Sequence, residues 1–143
     1  MKFMCLFTVH CVNARKIKVS QITGAFIVQK SYRLAKREDF NKVYRFGRST
    51  ANRQVVVYYK NQPKEVHFKL GISVSKKVGN AVVRNRMRRL IKEIVRHHTS
   101  RIPKHIHLII IVRKPSIEMD YHSLEKSIIH VLKKSKLWDQ GNR

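Results

Sequence analysis

Between Phe68 and Val112 the hydrophobic period changes twice, and this constrains the fold more than any other feature of the chain. Phe68, Leu70, Ile72 and Val74 alternate with His67, Lys69, Gly71, Ser73 and Ser75, which predicts a strand with one buried and one open face. Ala81–His98 then places Val83, Met87, Leu90, Ile91 and Ile94 on one helical stripe. Leu108–Val112 is continuously apolar, as an interior strand is, and Pro115 ends it. Upstream, Glu38 and Asp39 open a helical pattern carried by Phe40, Val43 and Tyr44 and stopped at Gly47. Gln54–Lys60 is β-branched and aromatic, with Asn61-Gln62-Pro63 as punctuation. Tyr121, Leu124, Ile128, Val131 and Leu132 line a last helix with Lys133, Lys134 and Lys136 at its negative end. The order of helix, strands, helix, strand, helix predicts a single α/β sandwich, with helices packed on one sheet.

A chain of 143 residues, 43% apolar, can bury one real core. Its surface is another matter: 32 Lys+Arg face 8 Asp+Glu, a formal net charge of +24. Such a chain repels itself, and its natural counter-ligand is a polyanion. Nucleic acid comes first, since neutralised phosphates release condensed counterions. An anionic membrane surface comes second. No apolar run is long enough to span a bilayer, the longest being Ile106–Val112 with His107 inside it.

Residues 1–27 are expected to be an N-terminal extension outside a domain spanning 28–143, with the native start near Val28. The short apolar stretch Phe3–Val9 also resembles a signal-peptide core, although His10 and Cys11 interrupt it. Both cysteines, Cys5 and Cys11, lie in this extension, which fits neither a disulfide framework nor a metal site and suits a reducing cytoplasm.

The chemistry concentrates in the run from Lys76 to Lys92. With the apolar stripe on one side of the helix, Asn85, Arg86, Arg88, Arg89, Lys92 and Arg96 fan over the other, and Arg84 sits at the edge of the stripe. Each guanidinium can grip a phosphate with two hydrogen bonds, and the helix N-terminus adds positive potential. An ordinary solvated face would mix Glu with Lys at helical spacing, whereas this one offers only Glu93. Elsewhere the signals are weak. His97-His98 and His105-x-His107 lack the ligand set of a zinc site, and nothing fixes two histidines as an acid–base pair. The eight acids are too scattered for a two-metal cluster. No residue is therefore assigned as catalytic or metal-binding.

The run Val78–Lys92, centred on Arg84-Asn85-Arg86, resembles the signature of the bacterial ribonuclease P protein family. Glu38-Asp39-Phe40, Val43-Tyr44, Ala51-Asn52-Arg53-Gln54, Gly71–Asn80, Met119-Asp120-Tyr121 and His130-Val131-Leu132-Lys133 follow in that family's order, so the resemblance spans Ser31 to Leu137. It implies three helices on a four-stranded sheet in the order α-β-β-β-α-β-α, with a left-handed βαβ crossover through the basic helix, against the general rule. It also implies a protein subunit that binds a catalytic RNA and the 5′ leader of precursor tRNA, in a reaction whose Mg2+ is held mainly by the RNA. Lys76, Lys77, Asn80, Arg84, Asn85, Arg86, Arg88, Arg89 and Lys92 would face the RNA subunit. Phe40, Tyr44, Asn52, Arg53, Lys69 and Ser73 would form the leader cleft, with the aromatics as a stacking floor. By residue type alone, Phe40 and Tyr44 are more often plain core residues. The charge alone also allows a ribosomal-type structural RNA binder, and the histidines an autonomous ribonuclease.

Overall fold

A computed structural model describes residues 32–138; the expected extension and both cysteines lie outside the described residues. The elements are helix α1 (Arg37–Phe46), strands β1 (Arg48–Ala51), β2 (Val55–Asn61) and β3 (Lys69–Val74), helix α2 (Ala81–His97), strand β4 (Ile106–Val112) and helix α3 (Tyr121–Lys134). The strands form one mixed sheet in the order β1-β2-β4-β3. β1–β2 and β2–β4 pair antiparallel, while β3 and β4 pair in parallel through the crossover that contains α2.

Strand β4 is the centre of the molecule, and its two faces explain its unbroken apolar sequence. Leu108, Ile110 and Val112 pack with Val55, Val57, Leu70 and Val74 under α2 and α3, whose stripes supply Met87, Ile91, Ile94, Leu124, Ile128 and Leu132. Ile109 belongs to a second, smaller core on the other face, with Leu34 and Val43, bordered by Phe40, Tyr58 and Ile111.

That second core places α1 on the side of the sheet opposite α2 and α3, and it corrects one expectation. The Lys69–Gly71–Ser73 face of β3 is not open. A Cβ added at Gly71 would stand 2.7 Å from the Phe40 ring, so glycine is what lets α1 lie this close. Strand β1, only four residues long, carries no legible period. Its turn back to β2 is closed by the Asn52 amide donating to the Val55 carbonyl (2.8 Å).

Candidate RNA interface

Helix α2 begins where Asn80 accepts a hydrogen bond from the Val83 amide (3.0 Å), the capping role for which this residue type is preferred. The turn before it, Lys76–Val78, is held by Ser75, whose side chain accepts from the Lys77 amide (3.3 Å), and by buried Val78. Lys76 and Lys77 are thereby presented to solvent beside the helix start. Along the helix, Asn85, Arg86, Arg89 and Lys92 are exposed, and Arg84 and Arg88 half-buried, while Met87, Ile91, Ile94 and Val95 are buried beneath them.

The proposed RNA-facing residues thus lie on one continuous surface, but not all with the same freedom. Asn80 is committed to its cap. Asn85 accepts from the Arg88 guanidinium (3.3 Å), and Arg84 leans back on the Asn80 carbonyl (3.4 Å). Arg96, the far end of the fan, is ion-paired with Glu93 and hydrogen-bonded to it. Among the described residues none of Lys76, Lys77, Arg84, Arg86, Arg88, Arg89 and Lys92 pairs with an acid. The field of this face is uncompensated.

On the opposite side of the sheet, Phe40 and Tyr44 stand 6.4 Å apart by ring centroid, and Tyr58 of β2 meets Tyr44 edge-on at 5.2 Å. Burial raises the pKa of the Tyr44 phenol, and the neighbouring Ser73 side chain opposes that rise without cancelling it. Lys69 of the same strand is tied to Glu65 at 2.5 Å. Structure brings Phe40, Tyr44, Lys69 and Ser73 to one face of the sheet, beside α1. It does not bring Asn52 there, because the Asn52 amide donates to Ser127 of α3 (3.3 Å), on the other face. Arg53 is exposed at the β1–β2 turn, its amide donating to Asn52 (2.6 Å). Tyr58 joins these rings on the same face and was missed in reading the sequence. Its parity with Val56 on β2 was the available signal, since alternate residues share a face.

At the far end of the cleft, His107 is buried, with Nε2 lacking a hydrogen-bond partner and 3.7 Å from a Glu65 carboxylate oxygen. Burial lowers its pKa, more than Asp39 and Glu65 raise it. No cluster of three His, Cys, Asp or Glu side chains that could hold a metal forms among the described residues, and no helix among them is long and apolar enough to cross a membrane.

The family model for Ribonuclease P matches residues 28–136. The ribonuclease P protein component of Listeria monocytogenes is 49% identical over 113 residues, covering 79% of this chain and 95% of its own. Among solved structures, the ribonuclease P protein of Staphylococcus aureus is 46% identical with a TM-score of 0.72, over 76% of this chain and 99% of that one. The Thermotoga maritima protein is 30% identical with a TM-score of 0.66, over 71% and 96%. With the fold, the basic helix and the family model in agreement over nearly all the described residues, the chain belongs to the ribonuclease P protein family.

Proposed function

We propose that the chain works as the protein subunit of ribonuclease P: it binds the catalytic RNA through α2 and the preceding turn, and the 5′ leader of precursor tRNA in the cleft beneath α1. The observation that carries this reading is the pairing of an uncompensated cationic helix with an aromatic cleft on opposite faces of one sheet. Such an arrangement can hold two RNA segments at once. Lys76, Lys77, Arg86, Arg88, Arg89 and Lys92 supply phosphate contacts, while Phe40, Tyr44 and Tyr58 offer ring surface to unpaired bases of any sequence.

Leader removal needs an activated water and a stabilised leaving oxygen, which Mg2+ supplies when held by RNA phosphate oxygens. The protein's share is to gather and position: its cations offset repulsion between two RNAs, and its cleft fixes the leader relative to the scissile bond. The chain would act in the cytoplasm. Cleavage of precursor tRNA with and without an added RNA subunit tests the reading, with the protein expected to stimulate cleavage only when the RNA is present. Sustained cleavage by protein alone would make it an autonomous ribonuclease. RNA binding without any stimulation would make it a structural RNA binder.

A further inference from the structure

Of the cations expected to meet RNA, Lys69 is the only one that is ion-paired among the described residues. Its ammonium lies 2.5 Å from Glu65 Oε1. That same oxygen stands 3.7 Å from Nε2 of His107. The register of β3 against β4 sets Lys69 opposite His107, just as it sets Gly71, on which the Phe40 ring rests, opposite Ile109. Three titratable side chains therefore meet around one carboxylate oxygen at the end of the cleft. Their exposure differs. The side chains of Lys69 and Glu65 are 26% and 30% exposed, whereas that of His107 is 5% exposed and its Nε2 has no hydrogen-bond partner.

The backbone beneath Glu65 is fixed. His105 Nδ1 donates to the Glu65 carbonyl, the Gln62 amide to the His105 carbonyl (2.7 Å) and the Glu65 amide to the Gln62 carbonyl (3.1 Å). His105 holds this clamp from a left-handed backbone, at φ 64°, which residues other than glycine seldom adopt. The Glu65 side chain keeps its freedom, and a shift of about 1 Å would bring Oε1 within hydrogen-bonding distance of His107. Burial keeps the imidazole neutral near neutral pH; Asp39 of α1 and Glu65 favour its protonation without prevailing, and Lys69 opposes it. Lys60, opposite His107 on β2, is turned over the Phe46 ring (5.1 Å).

A phosphate entering the cleft competes with Glu65 for Lys69 and repels the carboxylate that it displaces. We propose that leader binding is coupled to protonation of His107: a phosphate of the 5′ leader takes over the Lys69 ammonium, and the displaced Glu65 carboxylate swings onto His107, which draws a proton from solvent. The proposal rests on the leader-binding reading above. The phosphate is assigned to the leader because Lys69 shares its face of the sheet with Phe40, Tyr44 and Tyr58, opposite the face that α2 covers, and those rings suit unpaired bases. Charge balances in the exchange. The phosphate brings a negative charge, the imidazole gains a proton, and Lys69 changes partner without changing charge. Once phosphate neutralises Lys69, that ammonium no longer opposes a charge on His107, and Glu65 becomes the acceptor that the orphaned nitrogen lacked. His107 is thus a positioning residue: acting through Glu65, it sets how readily the cleft gives up Lys69.

The test measures binding of leader-bearing precursor and of mature tRNA to the assembled holoenzyme, from about pH 8 down to about pH 6 at fixed salt. Calorimetry in two buffers of different ionisation enthalpy counts the protons. Precursor should bind up to about tenfold tighter per pH unit as pH falls, taking up close to one proton more than mature tRNA does. His107→Gln keeps a donor for Glu65 but cannot titrate, so the extra proton and the pH dependence should vanish while leader binding persists. Glu65→Gln, at a partly exposed position, tests the coupling even where His107→Gln fails to fold. It frees Lys69 without any swing, so precursor should bind tighter than to wild type at the alkaline end, with no extra proton. Identical pH profiles for the two RNAs, or an extra proton that survives in either variant, would overturn the proposal. If Phe40→Ala and Tyr44→Ala then still weaken precursor binding more than mature tRNA binding, the cleft stands and only the coupling falls.

Discussion

Gly71 shows how one missing methyl positions a cleft. The Phe40 ring rests where a side chain on β3 would be, so Gly71→Ala must displace a ring wedged between helix and sheet. We expect a loss of about 1–3 kcal/mol from overpacking, and weaker holoenzyme binding of leader-bearing precursor than of mature tRNA, each relative to wild type. Denaturant unfolding and the two binding constants check this, and unchanged stability would mean that the ring yields freely. His107 has a different signature. Because burial depresses its folded-state pKa, the unfolded chain takes up the proton first as pH falls. Stability is therefore complete above the ordinary histidine value of 6.5 and declines on acidification below it. His107→Leu should flatten that decline between about pH 6.5 and 5. Glu65, whose pKa is lowered chiefly by its hydrogen bond from Lys69, contributes in a more acidic window, where its stabilisation is lost as pH falls below the ordinary carboxylate value of 4.5. Neither residue was legible in the sequence. Gly71 read as one member of an open face and His107 as an interruption in an apolar run, because both depend on what crosses from α1 and the Glu65 loop.

Elements were far more legible than contacts, since a helix or strand in this chain advertises its buried stripe. Helix α2 ends one residue short of the expected Ala81–His98, and α1 stops at Gly47, whose amide donates to the Val43 carbonyl (2.9 Å). The period could not say on which side of the sheet α1 would land, because β4 is apolar on both faces and offers equal purchase to either. Nor could residue type tell a phosphate ligand from a cap. Two experiments on α2 separate those roles. Arg86→Ala, Arg88→Ala and Arg89→Ala together should weaken RNA-subunit binding and reduce the salt slope by about one unit per contact, leaving the circular dichroism spectrum and melting temperature near wild type. Asn80→Ala should do the reverse: a loss of about 1 kcal/mol in stability from the uncapped Val83 amide, with the slope unchanged. A large change in slope for Asn80→Ala would put its side chain on the RNA.

At the scale of the whole molecule, the proposed function leaves the chemistry to the RNA partner. His98 bonds Glu125 (2.7 Å), which the largely exposed His122 also approaches at 3.7 Å, and His97 lies 3.1 Å from Glu93. Single Ala replacements of His97, His98, His122 and His130 should leave single-turnover cleavage near wild type at saturating RNA subunit and Mg2+. Removing a true general acid or base costs about 10²–10⁴ in rate, so a drop of that size with binding and fold intact would move the chemistry onto the protein. The strand order has a consequence for how such a chain comes into being. β4 is the last strand in sequence, yet it sits between β2 and β3. Until it is made, both of those strands carry a bare hydrogen-bonding edge, and neither core has its centre. At synthesis rates of about 5–20 residues per second, the stretch from the end of β2 at Asn61 to the end of β4 at Val112 takes several seconds. A nascent chain cannot settle the sheet piecemeal in that interval. Its strands remain open to pairing with other chains, held apart meanwhile by the mutual repulsion of the same lysines and arginines that later hold RNA.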